Sequence, residues 1–531
     1  MSKHIVMERF FNVTGLCNPE KHYMVDPLRG LSDTIMQLIQ NEYYFTIHAP
    51  RKTGKTTLLR ALAQQLNQSG KYTSVQFSLE TGGFRSNTTE KANKAFIESL
   101  YSAAQQQVAA HNLPPDPSEY EPSINVFKNY LTDWTRKNNL PIVLLIDEID
   151  ALYDDVLISV LRQLRDGFQF RPENFPSSVA LVGLRDVREY KEKVRDNDKS
   201  IGSGSPFNVK AESLSIGNFS KADIIGLFQQ YTDEGGQVFT PEVIDLFYLL
   251  TGGQPWLVNA LASEICYKIL GNDTSKAITI EIVEEAKENL ILRRDTHLDS
   301  LMDKLQNPRI RPIIDAILSG ADLKYNEFND DLRLAEDLGI ITKTRADGIK
   351  IANLIYNEII PRVLNANFQE LIIPKVETQW YFKPDGKIDI DLLLKEFQKF
   401  YRRYSESWLG EFSFRESGRQ LLLMAFLQRI VNGGGKVERE MALGSGRCDL
   451  LVEYAGERFV IELKINYDSY SLEDGKDQIS RYLDKLGLDH GYLMLFERKN
   501  SDVVPWEQRL KWTELEHVWR GIKKQISLVE M

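Results

Sequence analysis

Cysteine is scarce in this chain of 531 residues. Cys17, Cys266 and Cys448 are far apart and form no C-x-x-C pair. That spacing excludes a zinc cluster built on cysteines, and it fits a reducing compartment. We therefore expect a cytoplasmic protein.

Long apolar runs and an excess of positive charge are also missing. No run approaches the roughly 18 apolar residues that a membrane helix needs, and residues 1–15 lack the apolar core of a signal peptide. The formal net charge of −10 argues against a surface generally coated with nucleic acid, but it does not exclude a local basic groove. Because single cores stop growing near about 250–300 residues, a chain of 531 residues is expected to form several domains. The 42% apolar content is ordinary for globular domains, and we expect no membrane partner.

One stretch near the N-terminus combines an apolar strand, a polar loop and a helix. Residues 43–59 read YYFTIHAPRKTGKTTLL and match the phosphate-loop pattern G-x-x-x-x-G-K-[ST], except that Ala49 replaces the first glycine. In such a loop, backbone N–H groups at the helix N-terminus cradle an anion, the lysine reaches the terminal phosphates and the hydroxyl holds Mg²⁺. The predicted nucleotide-binding residues are Ala49, Pro50, Arg51, Lys52, Thr53, Gly54, Lys55, Thr56 and Thr57.

A second apolar strand ends in two carboxylates. Residues 141–146 read PIVLLI, which is typical of a central parallel strand, and Asp147 and Glu148 follow. We expect Asp147 to hold Mg²⁺ together with Thr56, and Glu148 to act as the base that polarises the attacking water. Together with the loop, this pair predicts an ATP or GTP site.

Further strands at 73–78, 178–183 and 211–216 alternate with helices, which predicts a parallel, doubly wound α/β core. Arg185 follows the 178–183 strand and is a candidate sensor of the γ-phosphate. Tyr23 is a candidate for stacking on the base, although a packed N-terminal arm explains it at least as well. Residues 220–275 predict a helical lid that contains the turn Gly-Gly-Gln-Pro ending at Pro255.

The segments APRKTGKT, LIDEID and GGQP together resemble the archaeal-type and STAND-like branch of the AAA+ ATPases, over residues 8–270. The resemblance implies ATP and Mg²⁺ as cofactors, and it places Pro255 near the nucleotide. It does not single out an arginine finger, because Arg185, Arg188 and Arg195 are all candidates.

Residues 307–366 predict a winged helix, with helices at 312–318 and 327–338 and a wing at 340–351. Such a module binds DNA in some proteins and packs on the nucleotide domain as a lid in others. The second helix, EFNDDLRLAEDL, is acidic and a poor reader of a DNA groove. The sequence therefore favours the lid role.

A second centre of chemistry lies near the C-terminus. A helix at 414–431 contains Glu416, and strands follow at 436–443, 447–452 and 457–465. Asp449 lies on the second of these strands, while Glu462 and Lys464 share one face of the third. Two such carboxylates hold Mg²⁺ or Mn²⁺ beside a scissile phosphate, and the lysine orients or activates a water.

This order resembles the PD-(D/E)xK, restriction-endonuclease-like nuclease superfamily over residues 405–500. The resemblance implies Asp449, Glu462 and Glu416 as metal ligands, Lys464 as a catalytic residue, and Gln478 and Tyr482 as a Q-x-x-x-Y motif. Three other acid-x-Lys triplets, at 385–387, 474–476 and 497–499, are expected at turns or strand ends and are set aside. The alternative is a buried structural pair of Glu462 and Lys464.

The predicted fold class is a multidomain α/β protein with a parallel P-loop sheet, a helical lid, a winged helix and a C-terminal mixed-sheet PD-(D/E)xK domain. The expected boundaries are an ATPase core at 1–219, a lid at 220–300, a winged helix at 301–372, a linker at 373–404 and a nuclease-like domain at 405–531. The tail at 505–531, which contains three tryptophans, is interpreted as an amphipathic helix.

The expected function is an ATP-driven switch that controls a Mg²⁺-dependent nuclease acting on nucleic acid, DNA before RNA. By analogy alone, its setting is defence against foreign DNA. Two alternatives stay open. One is an ATP-dependent nucleic-acid-binding machine without cleavage, and the other is a signalling scaffold that forms homo-oligomers on ATP.

Overall fold

The protein is described here from a computed structural model. The described residues are 8–83, 88–152, 154–184, 209–293, 301, 304–305, 307–318, 326, 329–344, 348–360, 381–409, 423, 427, 436–443, 446–466, 469–497 and 511–531. The chain forms two compact units. The first contains Met1–Leu301, Asn326–Lys343 and Ala352–Ile355, and the second contains Met302–Tyr325, Thr344–Ile351 and Tyr356–Met531.

The first unit contains a sheet of five parallel strands in the order β2-β3-β4-β1-β5. The strands are β1 (Tyr44–His48), β2 (Thr73–Ser78), β3 (Ile142–Asp147), β4 (Ser178–Gly183) and β5 (Lys210–Ser215). Every residue of β3 is buried, as expected of a central strand that is covered on both faces. The predicted parallel α/β core is confirmed, with β5 one residue earlier than expected.

Five helices cover the two faces of this sheet. They are α1 (Ser32–Gln40), α2 (Lys55–Gln68), α3 (Thr89–Gln107), α4 (Val126–Lys137) and α5 (Asp154–Gly167). Apolar residues of α1 and α2 form one core with β1, and those of α3, α4 and α5 form a second core with β2 and β3. Because the strands are parallel, the carboxyl ends of β1 and β3 lie at the same edge of the sheet.

Within residues 216–293, which are all described, four helices follow β5. They are α6 (Lys221–Gly235), α7 (Pro241–Thr251), α8 (Pro255–Ser263), which continues as a π-helical turn (Glu264–Ile269), and α9 (Ile280–Arg293). Side chains cap the first three: Ser220 forms a capping box with Asp223, Thr240 precedes Pro241, and Gln254 accepts a hydrogen bond from the N–H of Leu257. These caps explain why the three helices begin at Lys221, Pro241 and Pro255.

The N-terminal arm packs on these helices through aromatic rings. Phe11 and Tyr23 contact Tyr231, and the Phe11 ring also lies against Phe228. Tyr23 is only 1% exposed, and burial raises the pKa of its hydroxyl. Tyr23 is therefore a core residue of a packed arm, and its candidacy for stacking on a nucleotide base is wrong because no face of its ring is accessible.

The predicted winged-helix region contains α10 (Arg311–Leu318), α11 (Asp330–Asp337), β6 (Ile341–Thr344) and β7 (Gly348–Ile351). Strands β6 and β7 form a two-stranded sheet. Asn329 caps α11, which is why this helix begins three residues later than predicted. The winged helix itself stays a prediction.

The second unit contains a mixed sheet of six strands in the order β12-β13-β11-β10-β9-β8. The strands are β8 (Lys436–Leu443), β9 (Gly446–Tyr454), β10 (Glu457–Asn466), β11 (His490–Glu497), β12 (Lys511–Trp519) and β13 (Ile522–Glu530). Helix α12 (Ile390–Leu409) contributes to the core on one face and α13 (Ser469–Leu486) to the core on the other. The β10–β11 pair is parallel, whereas β8, β9 and β10 are antiparallel.

The tail contradicts its prediction as a helix. Residues 511–530 form the antiparallel hairpin β12–β13, whose turn is Arg520-Gly521, both with positive φ. The spacing of the tryptophans favours a helix, but Leu515, His517 and Trp519 of β12 are half-buried while Glu516 and Val518 between them are exposed, which is the period of a strand. A two-residue turn with glycine at its second position then closes the hairpin.

The stretch predicted as a linker at 373–404 is structured where the protein is described. Tyr381 and Ile388 are buried, and Leu393 and Phe397 of α12 pack in the same core as Ile461. The segment 381–404 thus belongs to the core of the second unit. Of the predicted helix at 414–431, only Leu423 and Leu427 are described, and both are buried.

Within the described ranges, no helix combines the length and the apolar character required to cross a lipid bilayer.

Candidate functional site

The loop between β1 and α2 is held by its own lysine. Lys55 Nζ donates to the carbonyl oxygens of Ala49 at 2.8 Å and Pro50 at 2.9 Å, and Thr53 Oγ1 donates to Pro50 at 2.8 Å. Gly54 caps α2 at φ 96°, a conformation that favours glycine. Burial lowers the pKa of Lys55 to about 8. The loop therefore presents a cation beside the N–H groups at the start of a helix.

Ala49 stands where the phosphate-loop pattern has glycine. Its side chain is 1% exposed in the core of the first unit, and its N–H donates to the Gly183 carbonyl at 3.3 Å. Ala49 is not among the residues with positive φ, so this position does not require glycine. At the tip of the loop, Arg51 and Lys52 are exposed, and Lys52 has φ 60°.

Thr56 and Asp147 meet at the edge of the sheet. Thr56 Oγ1 donates to Asp147 Oδ2 at 2.8 Å, and the Glu148 N–H donates to Asp147 Oδ1 at 3.0 Å. Burial raises the pKa of Asp147. A hydroxyl and a carboxylate are hard oxygen ligands of the kind that Mg²⁺ prefers, so this donor set fits that ion.

Glu148 is held by a residue that the sequence did not predict. The Ser78 hydroxyl, at the end of β2, donates to Glu148 Oε2 and accepts from the Glu80 N–H at 3.0 Å. Glu148 itself has φ 58°. Ser78 pairs in register with Asp147, so a polar residue ending the strand next to β3 was the available signal. Arg185 lies outside the described residues, and so do Arg188 and Arg195.

The predicted Gly-Gly-Gln-Pro turn lies against the loop. Gln254 Nε2 donates to the Lys52 carbonyl at 3.4 Å, and Lys52 Nζ lies 4.5 Å from the centre of the Trp256 ring. The Trp256 indole in turn donates to the Val13 carbonyl at 2.9 Å. Pro255 occupies the first turn of α8 and is buried. One short turn thus touches both the phosphate loop and the N-terminal arm.

The end of α11 and the residues directly after it lie against the phosphate loop and β1 within the first unit. A Cβ added to Gly339 would lie 2.8 Å from Pro50 Cγ, so the backbone at Gly339 packs directly on the loop. Asp337 Oδ1 lies 4.0 Å from His48 Nε2, at the end of β1. This segment is therefore placed to respond to the conformation of the loop.

The sequence comparison agrees with this geometry. Residues 39–190 match the family model described as an AAA domain. Residues 39–190 form an AAA-type P-loop ATPase domain. The AAA ATPase fold implies nucleotide binding, usually with Mg²⁺.

Solved structures show similarity over a longer part of the chain. The Walker-type ATPase of Pyrococcus abyssi is 15% identical, covering 66% of this chain and 99% of that one, with a TM-score of 0.46. Cdc6p from Pyrobaculum aerophilum is 15% identical, covering 65% and 95%, with a TM-score of 0.35. The RuvB Holliday junction branch migration motor of Thermotoga maritima is 14% identical, covering 63% and 94%, with a TM-score of 0.34. A search of curated proteins found no match.

In the second unit, Glu462 and Lys464 lie on the face of β10 that α13 covers. Glu462 is 1% exposed, and Lys464 Nζ lies 3.8 Å from Glu462 Oε1. Lys464 Nζ donates to Gln478 Oε1 at 2.7 Å, and Gln478 Nε2 donates to the Tyr482 hydroxyl at 3.1 Å. The structure therefore brings together four of the residues that the nuclease resemblance singles out.

The other two predicted residues of that site are less completely described. Asp449 belongs to β9 and directly precedes Leu450, which pairs with Ile461 on β10. Glu416 and the side chain of Asp449 lie outside the described residues. Among the side chains that are described, no three of His, Cys, Asp or Glu form a metal-binding group.

Asp474 also lies at this site, although its acid-x-Lys triplet is predicted at a turn or strand end. It lies within α13, and its Oδ2 is 3.2 Å from Lys464 Nζ. Asp474 precedes Gln478 by one helical turn, as Gln478 precedes Tyr482, so the three form one stripe. That spacing was the signal that would have identified it.

Proposed function

We propose that the ATPase domain is a switch that controls a metal-dependent nuclease in the second unit. The observation that carries the nuclease half is the Glu462–Lys464 pair on β10. Glu462 is 1% exposed, and burying a charged carboxylate to that degree is costly unless a cation or a metal ion lies beside it. The pair also faces Gln478 on the following helix, as the Q-x-x-x-Y pattern requires.

In the ATPase domain, we assign the nucleotide to the loop from Ala49 to Thr57. Lys55 would bind the terminal phosphates, and Thr56 and Asp147 would hold Mg²⁺, which neutralises phosphate charge when bound. Glu148 would polarise the attacking water once its carboxylate leaves Ser78. ATP is preferred to GTP because of the family resemblance.

Coupling would run through the two segments that touch the loop. The Gln254-Pro255-Trp256 turn contacts Lys52, and Gly339 packs on Pro50. A loop that reshapes around phosphate would therefore shift both segments. This supports the lid role for the predicted winged helix. Arg185 as a sensor and homo-oligomers on ATP remain parts of the proposal.

In the second unit, Glu462 and Asp449, with Glu416, would hold Mg²⁺ or Mn²⁺, and Lys464 would orient the attacking water. The donor set consists of carboxylates, which suits these ions. The substrate would be a nucleic-acid phosphodiester, with DNA favoured. Defence against foreign DNA rests on analogy.

One observation favours a different function. Lys464 is surrounded by Glu462, Asp474 and Gln478, as a purely structural ion pair would be. In that case, the second unit would bind nucleic acid or partners without cutting, and the chain would be an ATP-dependent scaffold.

A cleavage assay separates these functions. Plasmid, linear and single-stranded DNA and RNA are incubated with Mg²⁺ or Mn²⁺, with and without ATP, using the wild type, Lys55→Ala and Glu462→Gln. Glu473→Gln is the matched control, because it removes one exposed carboxylate from α13. The proposal expects cleavage that Glu462→Gln abolishes, and that ATP alters in the wild type but not in Lys55→Ala. Hydrolysis of ATP without cleavage of any substrate would favour the scaffold.

A further inference from the structure

We infer that Asp474 is a positioning residue that draws the Lys464 ammonium toward α13 and away from Glu462. The inference rests on the proposed nuclease function for its catalytic consequence. The placement of Lys464, however, is measurable without cleavage. Nothing in the superfamily resemblance assigned a role to this aspartate.

The distances around Lys464 Nζ are unequal. Gln478 Oε1 lies at 2.7 Å, Asp474 Oδ2 at 3.2 Å and Glu462 Oε1 at 3.8 Å. An ammonium has three N–H donors, and hydrogen bonds to oxygen rarely exceed about 3.2 Å. Within the described residues, the ammonium donates its hydrogen bond to Gln478 and forms its shorter ion pair with Asp474, both on α13, so the helix sets the direction of the ammonium.

The charges point the same way. Gln478 is neutral, so of the two α13 residues that contact Lys464, only Asp474 carries a charge. Without the Asp474 charge, the nearest carboxylate to Lys464 among the described residues of this site is Glu462. Glu462 is buried, and the low dielectric constant of its surroundings strengthens its attraction for the ammonium. We therefore expect the ammonium to move toward Glu462 when the Asp474 charge is removed.

The helix approaches Lys464 closely because of a glycine. A Cβ added to Gly475 would lie 3.0 Å from Leu493 Cδ1 and 3.3 Å from Lys464 Cγ. A larger residue would push this turn of α13 away from β10 and lengthen the Asp474–Lys464 contact. Because the Asp474 side chain is 53% exposed, the pair contributes little to stability, and the effect expected of it is on the direction of the ammonium.

The experiment uses the full chain with Asp474→Asn, which keeps the shape and removes the charge. Asp474→Glu restores the carboxylate, and Glu473→Gln is the control, because Glu473 pairs with the neighbouring Lys476 instead. Two quantities are measured: the rate at which acetic anhydride modifies Lys464, read by mass spectrometry, and the rate of cleavage as a function of Mg²⁺ concentration. Unfolding midpoints verify that the variants fold.

We expect Asp474→Asn to change the modification rate of Lys464 and to lower cleavage about tenfold at saturating Mg²⁺, as displaced catalytic groups commonly do. The Mg²⁺ concentration for half-maximal rate should stay unchanged, because Asp474 is not proposed as a ligand. Asp474→Glu should recover both readouts, and Glu473→Gln should match the wild type.

Equal modification of Lys464 in Asp474→Asn and Glu473→Gln would overturn the inference. So would altered modification with unchanged cleavage, because Asp474 would then be only a structural partner. If the wild type cuts no substrate, the nuclease proposal fails, and the modification rates alone still decide whether Asp474 positions Lys464.

Discussion

Replacing Ser78 with alanine should speed ATP hydrolysis. The Ser78 hydroxyl donates to the carboxylate of Glu148, the residue proposed to polarise the attacking water. A carboxylate has about four acceptor sites, so the bond does not by itself exclude a water. It does hold the Glu148 side chain at the end of β2, and we expect that side chain to turn toward the phosphate loop for catalysis. The bond therefore stabilises the resting position of Glu148, and removing it should lower the barrier to activation.

The size of the effect follows from the strength of that bond. Hydrogen bonds to charged groups contribute about 1.5–3 kcal/mol, but Glu148 is partly exposed, so water compensates for part of the loss. We take about 1 kcal/mol, which corresponds to roughly a fivefold rise in kcat. The KM for ATP should change little, because Ser78 does not contact the loop residues that would bind phosphate.

Steady-state hydrolysis of ATP tests this prediction. Ser99→Ala is the matched control, because Ser99 Oγ donates to the Ser78 carbonyl at 2.9 Å and not to Glu148. Glu148→Gln should abolish hydrolysis in either background. An unchanged kcat in Ser78→Ala would mean that the contact does not restrain Glu148. A lower kcat would mean that Ser78 holds Glu148 in its working position, and either result refutes the reasoning.

Three further predictions concern stability and metal. Gly253→Ala should lower the unfolding midpoint, because the new Cβ would lie 2.0 Å from the Phe219 carbonyl oxygen and because Gly253 has φ 71°, which favours glycine. Gly475→Val should destabilise the second unit, because the new side chain would meet Leu493, and ATP hydrolysis should continue. Calorimetry measures the unfolding midpoint, and a hydrolysis assay measures the ATPase activity. Asp147→Asn should abolish Mg²⁺-dependent hydrolysis yet raise the unfolding midpoint at neutral pH. Burial raises the pKa of Asp147, so its charge costs stability above that pKa, and the advantage of Asp147→Asn should vanish as pH falls toward 3.8.

The ATPase core could be predicted from sequence because its signals are local. A continuous apolar run such as 142–146 indicates a strand that is buried on both faces. The residues predicted to bind phosphate all lie within the nine residues 49–57 that follow β1. The helix caps Ser220 and Thr240 act on backbone N–H groups three residues away. Such features depend little on the rest of the chain.

Residues that depend on tertiary contacts were missed. Ser78 meets Glu148 only because β2 and β3 are neighbours in register, and Asp474 meets Lys464 only because α13 folds back over β10. The tail was wrong for a related reason. The spacing of three tryptophans favoured one face of a helix, whereas pairing with β11 and β12 makes residues 522–530 a strand.

Lys55 should reveal its burial through the pH dependence of stability. Its pKa falls from 10.5 to about 8 in the folded protein, so the ammonium costs stability below about pH 8, and that cost disappears as pH rises toward 10.5. Between about pH 7.5 and about pH 10, the free energy of unfolding of the wild type should rise relative to that of Lys55→Met. The rise should be at most about 2 kcal/mol, because the Lys55 side chain keeps some contact with water. Chemical denaturation of both proteins measures this difference. A constant difference across that range would show that Lys55 is hydrated in the folded loop. ATP should then raise the midpoint of the wild type alone, because Lys55→Met lacks the cation that holds the phosphates.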